Sequence, residues 1–372
     1  MIQWREGVVV GMRSRWAGTV EYAVRLAPDA PPGTDVVRAI GYVDLLGELA
    51  DGSAVLLNTT ALERNLGTGG MAIIVAAPEA LPIPADDLAS VPGHVVKARY
   101  TPCQTMVLGV DEQDSGHHAV LADADDLDGL PVIVADLHSS LPAIVAGVRD
   151  ADRRLRVAYV MTDGGALPID LSRTVAGLRD AGWLASSITV GQAYGGDLEA
   201  VNVHTGLLAA RHVAGADVAV VTQGPGNLGT GTRWGFSGTS AGEAVNAAAT
   251  LGGRPVCALR ISEADPRDRH RGVSHHSRTA YGRVALVPAD VAVPRLGGAF
   301  GARVLEEAHA LCASTGGRLV AREIDCEGLD AALRQTPVPL RTMGRRYDDD
   351  RAGFLGAAVA GRYAAQVMLG RG

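Results

Sequence analysis

Three side chains of this sequence have the type and setting to move protons: His138 in Asp136-Leu137-His138-Ser139-Ser140, Asp163 in Asp163-Gly164-Gly165, and His276 in His275-His276-Ser277-Arg278. Imidazole titrates near neutrality and an ionised carboxylate accepts a proton, so each is a candidate general acid or base. A second set is suited to holding an anion. Gly224, Gly226, Asn227, Gly229, Thr230 and Thr232 lie in one run, Gly164 and Gly165 in another, Gly196 and Asp197 in a third. Glycine lets backbone N–H groups approach a phosphate, and an arginine fork such as that of Arg278 suits phosphate or carboxylate.

Each of these residues also has a plain structural reading. Gly224-x-Gly226-x-x-Gly229 follows an apolar strand as a dinucleotide fingerprint does, but the fingerprint needs a helix to begin inside it, and the next capping signal is Ser240 with Glu243. A loop lined by glycine that holds some anion or carbonyl, or a surface connection, are the other readings. Asp197 precedes a helical stretch from Leu198 to Val213 and either caps it or meets a ligand. Asp163 could close an Asx-turn, and His138 could be a packed histidine. From Arg260 to Arg278 the chain also carries Arg267, Arg269, Arg271, His270 and His275, with Glu263, Asp265 and Asp268 as alternative partners for the charge. No cofactor is assigned. The ten histidines and four cysteines form no closed ligand set at zinc spacing, so the sequence predicts no metal. Cys103 is a nucleophile only if the fold brings a base to it.

What positions these residues is legible in the apolar pattern. Residues 1–115 read as short β segments punctuated by Gly, Pro and Asp, a small barrel or sandwich. An acidic stretch from Asp111 to Asp128 marks the boundary, and 116–372 alternate apolar strands with helical segments. The strands are placed at 131–137, 156–162, 186–191, 217–223, 255–261, 283–287 and 318–324. Continuous runs such as Val132-Ile133-Val134-Ala135 suit strands buried on both faces, so this half is expected to be a doubly wound, mainly parallel α/β domain. In such a sheet ligands bind beyond the carboxyl ends of the strands. His138, Asp163, Asp197, Asn227 and His276 are therefore expected to line one cleft.

Composition narrows the chemistry. The 372 residues are 47% hydrophobic and 20% charged, which excludes a disordered chain, and only 4% aromatic, so Val, Ala and Leu must build the core. Lys97 is the only lysine among 34 basic residues, and no glycine-rich stretch carries it, which excludes a P-loop. A net charge of −7 gives no global attraction to DNA or RNA. No basic leader or long apolar run is present, so the chain is expected to be cytoplasmic and free of the membrane.

The chain resembles the bacterial family known only as domain of unknown function 3866. The likeness rests on Leu57-Asn58-Thr59-Thr60, Arg99-Tyr100-Thr101-Pro102-Cys103-Gln104, Leu137-His138-Ser139-Ser140-Leu141-Pro142, Met161-Thr162-Asp163-Gly164-Gly165-Ala166-Leu167-Pro168, Gly195-Gly196-Asp197-Leu198-Glu199-Ala200-Val201-Asn202, Gln223-Gly224-Pro225-Gly226-Asn227 and Ser274-His275-His276. That name implies no activity. Two readings stand: an enzyme acting on a small anionic molecule, phosphorylated or nucleotide-like, or a non-catalytic nucleotide-sensing or regulatory module with RNA contact through the β domain. Assembly into a homo-oligomer is left open.

Overall fold

The computed structural model describes residues 1–27, 35–65, 69–80 and 90–370. By their contacts these residues form two compact units, Met1–Val91 and Pro92–Gly372.

The first unit is a closed barrel of β1 (Trp4–Trp16), β2 (Thr19–Leu26), β3 (Val36–Tyr42), β4 (Ala54–Asn58) and β5 (Ala72–Ala76), with short turns α1 (Val43–Leu46) and α2 (Thr60–Glu63). β1 pairs antiparallel with both β2 and β4, its register shifting between Val9 and Gly11 and between Met12 and Ser14. Such irregularities bend a long strand around a narrow barrel. β3 and β5 run parallel and close the wall. Val9, Tyr22, Val24, Leu57 and Ile74 fill the interior, and the Tyr22 hydroxyl accepts the Leu49 N–H at 3.1 Å. Small Greek-key barrels of five strands serve many ligands, so the fold assigns no function.

The second unit opens with a hairpin of β6 (Val95–Lys97) and β7 (Thr105–Val107) and a turn α3 (His118–Leu121). Its centre is an eight-stranded parallel sheet: β8 (Pro131–Val134), β9 (Val157–Thr162), β10 (Ser186–Thr189), β11 (Leu198–Glu199), β12 (Val218–Gln223), β13 (Arg254–Ala258), then β16 (Ala289–Pro294) and β17 (Leu319–Ile324). A short antiparallel pair, β14 (Ile261–Ser262) and β15 (Gly272–Val273), interrupts the β13 to β16 connection. The spatial order is β11-β10-β9-β12-β8-β13-β16-β17. Helices α4 (Leu141–Ala151), α5 (Arg173–Asp180), α10 (Leu329–Arg334) and α11 (Arg351–Met368) cover one face. Helices α6 (Val203–His212), α7 (Ser240–Thr250) and α9 (Gly298–Ala313) cover the other, and α8 (His275–Thr279) sits near the strand ends. Ile133, Tyr159 and Val220 face the first layer, Val134, Val160 and Val221 the second, as the continuous apolar runs require.

Four sequence expectations meet corrections. Residues 92–115 belong to the second unit: Lys97 is fully buried, its Nζ donating to Ala193 O at 2.9 Å and Ala200 O at 3.0 Å and pairing with Glu199 at 3.2 Å. The run 283–287 is no strand; α8 runs on into a π-helical turn over Ala280–Val284, and the strand is Ala289–Pro294, masked in sequence by Asp290. Ser240 and Glu243 make no capping box, since the Ser240 hydroxyl donates to Ser237 O at 3.1 Å. The stretch after Asp197 enters β11 first, and the cap of α6 is Asn202, whose side chain accepts from His204 N and Thr205 N.

Candidate functional site

The chain order places a switch point at the centre of the sheet. After β8 the chain crosses through α4 to β9, and after β12 it crosses through α7 on the opposite face to β13. The carboxyl ends of β12, β8 and β13 thus leave a crevice between diverging connections. Gln223 ends β12, Asp136 follows β8 and Arg260 follows β13.

These three residues are buried and incompletely paired. Gln223 Nε2 donates to Asp136 O at 2.8 Å, while Gln223 Oε1 and Asp136 Oδ2 have no hydrogen-bond partner. The Arg260 guanidinium stands 3.8 Å from Asp136 Oδ2 and 3.1 Å from His276 Nδ1, and His276 Nδ1 is 3.5 Å from Asp136 Oδ2. Burial pulls the Arg260 pKa down against the opposing pull of Asp136. A buried donor or acceptor left unmade costs about 1–3 kcal/mol, so such groups at one crevice need an explanation.

The chain after β13 carries the histidines. Ser274 N donates to Arg260 O and Arg260 N donates to Ser277 Oγ, both at 2.9 Å, which stitches the start of α8 to the strand end. The β14–β15 ladder folds the intervening loop back, so His270, His275 and His276 converge. Their polar ring atoms lie within 4.8 Å of one another, and the His275–His276 ring centroids are 4.4 Å apart. Phe236 stacks on His276. Burial, then the charge of Arg260, pushes His270 down to about 3; burial, then His276, pushes His275 to about 4. Both rings are neutral at physiological pH.

Of the other residues singled out from the sequence, His138, Asp163 and Asn227 follow the carboxyl ends of β8, β9 and β12, and Asp197 does not. His138 is held by both ring nitrogens, with Nδ1 2.9 Å from the Tyr159 hydroxyl and Nε2 2.7 Å from Ser172 Oγ. Ser172 Oγ already accepts from Val175 N, so its proton goes to Nε2, and the proton of His138 is on Nδ1. The chain continues from Tyr159 to Thr222 at 2.9 Å and from Thr222 to Gln223 O at 2.9 Å. Burial depresses His138 to about 4. Asp163 accepts from Gln192 N at 3.0 Å, and Asn227 accepts from the Ser237 hydroxyl at 2.9 Å. Asp197 accepts from Ser187 N at 2.8 Å and pairs with Arg179, at the start of β10 and the end of α5. That is the amino edge of the sheet, away from the crevice.

The glycines of the anion set differ in their surroundings. A Cβ on Gly164 would stand 2.7 Å from Gln223 Oε1, and one on Gly165 would overlap Gly224 O, so this pair lets two loops cross. Gly196 N donates to Thr189 Oγ1 at 3.1 Å. Thr230 and Thr232 bond to each other at 3.1 Å in an exposed loop in which Gly229 bridges to Phe236, and Gly226 lies in open space. The helix after this run begins only at Ser240, without the dinucleotide geometry. Arg278 is 3.0 Å from Glu307 and donates to Val273 O at 3.1 Å, fastening β15 to α9. The guanidinium at the crevice is that of Arg260. Asp136, Arg260, His270 and His275 each stood at a strand end or in the basic stretch. Their convergence was not legible, because it depends on the antiparallel β14–β15 ladder.

A closed barrel followed by a parallel α/β unit with a polar crevice at its switch point defines the class. The family model described as Protein of unknown function (DUF3866) matches residues 38–361, and the chain belongs to this family. Comparison with curated proteins and with solved structures finds no match. No helix among the described residues is long and apolar enough to cross a membrane.

Proposed function

We propose that the crevice between β12, β8 and β13 is an enzyme active site for a small anionic molecule, phosphorylated or nucleotide-like. The observation that carries this reading is Arg260, a guanidinium with only 8% of its side chain exposed whose ion-pair partner Asp136 stands at 3.8 Å, beyond hydrogen-bond reach. A planar fork held this way complements phosphate or carboxylate. Asp136, with a free oxygen, is the candidate base, and His276 the candidate partner in proton transfer. His138 and Asp163, each engaged elsewhere, act at most through neighbours. On the α11 side of Arg260 a cavity of about 30 Å³, room for about one water, is walled by Ser139, Ser140, Thr342 and Arg345.

RNA contact through the barrel has less support. Arg5 pairs with Glu63, Arg13 and Arg38 with Glu21, and Arg15 with Glu48, so most of the described positive charge there is matched within the unit.

The test is thermal unfolding of wild type and Arg260→Gln with inorganic phosphate, sugar phosphates and nucleotides. A ligand at 100 times its Kd stabilises by ~2.7 kcal/mol. Stabilisation of the wild type alone supports the reading. Absence of any stabilising anion, or an equal response in the variant, overturns it.

A further inference from the structure

We propose that His270, His275 and His276 form a binding site for one divalent transition metal ion, zinc or a zinc-like ion. Three imidazoles whose donor atoms lie within 4.8 Å of one another can close on an ion at about 2.0–2.1 Å from each nitrogen with modest ring rotations. His270 Nδ1 is 2.8 Å from Ser274 Oγ; His276 Nδ1 accepts from Arg260 at 3.1 Å, a bond that must be exchanged for donation to Asp136 before its Nε2 can ligate an ion. His275 Nε2 is buried with no hydrogen-bond partner at all. A buried imidazole nitrogen without a partner, with two further imidazoles beside it, matches a cation.

The surroundings complete the site. Metal-bound histidines usually pass their other N–H to a carboxylate or carbonyl, which fixes ring orientation and raises ligand basicity. Asp136 Oδ2, itself unpartnered and 3.5 Å from His276 Nδ1, becomes that acceptor once Nδ1 gives up its bond from Arg260. Phe236, stacked on His276 at 3.8 Å, keeps that ring from rotating away. Of the nearby cations, Arg267 is paired with Asp265 at 2.9 Å. Three neutral ligands leave the fourth position of a tetrahedral ion open, the arrangement of catalytic rather than structural zinc sites, and an ion held here makes His276 a ligand in place of a proton-transfer partner of Asp136. The expectation of no metal came from sequence templates in which ligands share a helix or a knuckle. Here a 3-10 turn over Asp268–His270 brings one ligand and the first residues of α8 bring two, with β15 between them.

The experiment uses the full chain and needs no substrate. The purified protein is stripped with a chelator and titrated with Co²⁺, with visible absorption reporting tetrahedral nitrogen coordination, and Zn²⁺ content is measured by elemental analysis after reconstitution and gel filtration. One ion per chain is expected, with at least a 100-fold loss of affinity in His275→Ala and in His276→Ala, and a 10–100-fold loss in Asp136→Asn. Circular dichroism checks that the variants fold. X-ray absorption of the reconstituted wild type counts imidazole ligands without any variant. Substoichiometric metal, an octahedral oxygen-ligated Co²⁺ spectrum, or undiminished binding in folded His275→Ala overturns the site. Arg260→Gln is expected to keep the metal, so loss of anion binding and loss of metal are separately visible.

Discussion

The ring of Phe236 lies flat on His276, centroids 3.8 Å apart and planes 5° from parallel, although one follows β12 and the other opens α8. Phe236 is 5% exposed, so it joins the loop after one strand to the helix beyond another. Truncating a buried phenylalanine costs about 3–5 kcal/mol. Phe236→Ala is expected to lower stability in urea by about 3 kcal/mol and to broaden the His276 ring resonances. A loss under 1 kcal/mol would show that the contact contributes little.

Asp136 and Arg260 are expected to be coupled. Removing one member of a buried charge pair costs about 3–5 kcal/mol because the other is stranded, whereas replacing both with apolar residues is often neutral. Arg260→Met should therefore destabilise strongly, and Arg260→Met with Asp136→Leu should recover most of the loss. Additive losses in urea denaturation would mean that the 3.8 Å separation already uncouples them.

His138 makes stability depend on pH. Its unfolded pKa is about 6.5, and burial lowers the folded value to about 4. The unfolded chain thus binds more protons between these values, so the contribution is whole above pH 6.5 and is lost as pH falls through 4. His138→Gln is expected to show a flatter decline between pH 7 and 4.5 by chemical denaturation. Parallel curves would mean that the folded state does not hold this ring neutral.

Gly165 separates packing from binding. A methyl there would overlap Gly224 O, a backbone atom that cannot swing away, so Gly165→Ala is expected to destabilise by about 1–3 kcal/mol. Gly226 has φ +104° but open space around it, so an alanine there meets backbone strain without a clash. Differential scanning calorimetry of the two variants ranks them; a neutral Gly165→Ala would return this glycine to the role of ligand cradle.

The parallel sheet was legible because strands buried on both faces must be apolar throughout, as in Val218-Ala219-Val220-Val221. The edge strand Leu198–Glu199 was not, since two residues carry no period, and Asp197 in front of it has the same residue type as a helix cap. Arg283–Val287 misled because its β-branched residues fit a strand locally, while the decision lay with the π-turn that packs Tyr281 beneath the crevice, its hydroxyl donating to Val134 O at 2.8 Å. Polar strand ends announced a site near β8, β12 and β13. They did not say which side chains would meet, because Arg260 and Arg278 are alike in sequence, and only tertiary pairing with Glu307 tells them apart.

The burial of Lys97 has a practical consequence. Lys97 is the chain's only lysine, and its full burial keeps its amine from reagents, so those that acylate an N-terminal amine should spare it in the native protein. A second acyl group can be added only when the β6–β7 hairpin lifts from Glu199 and the neighbouring carbonyls. Mass spectrometry of acylated protein over time would therefore clock the opening of this edge of the sheet, with the sequence supplying its own one-site label.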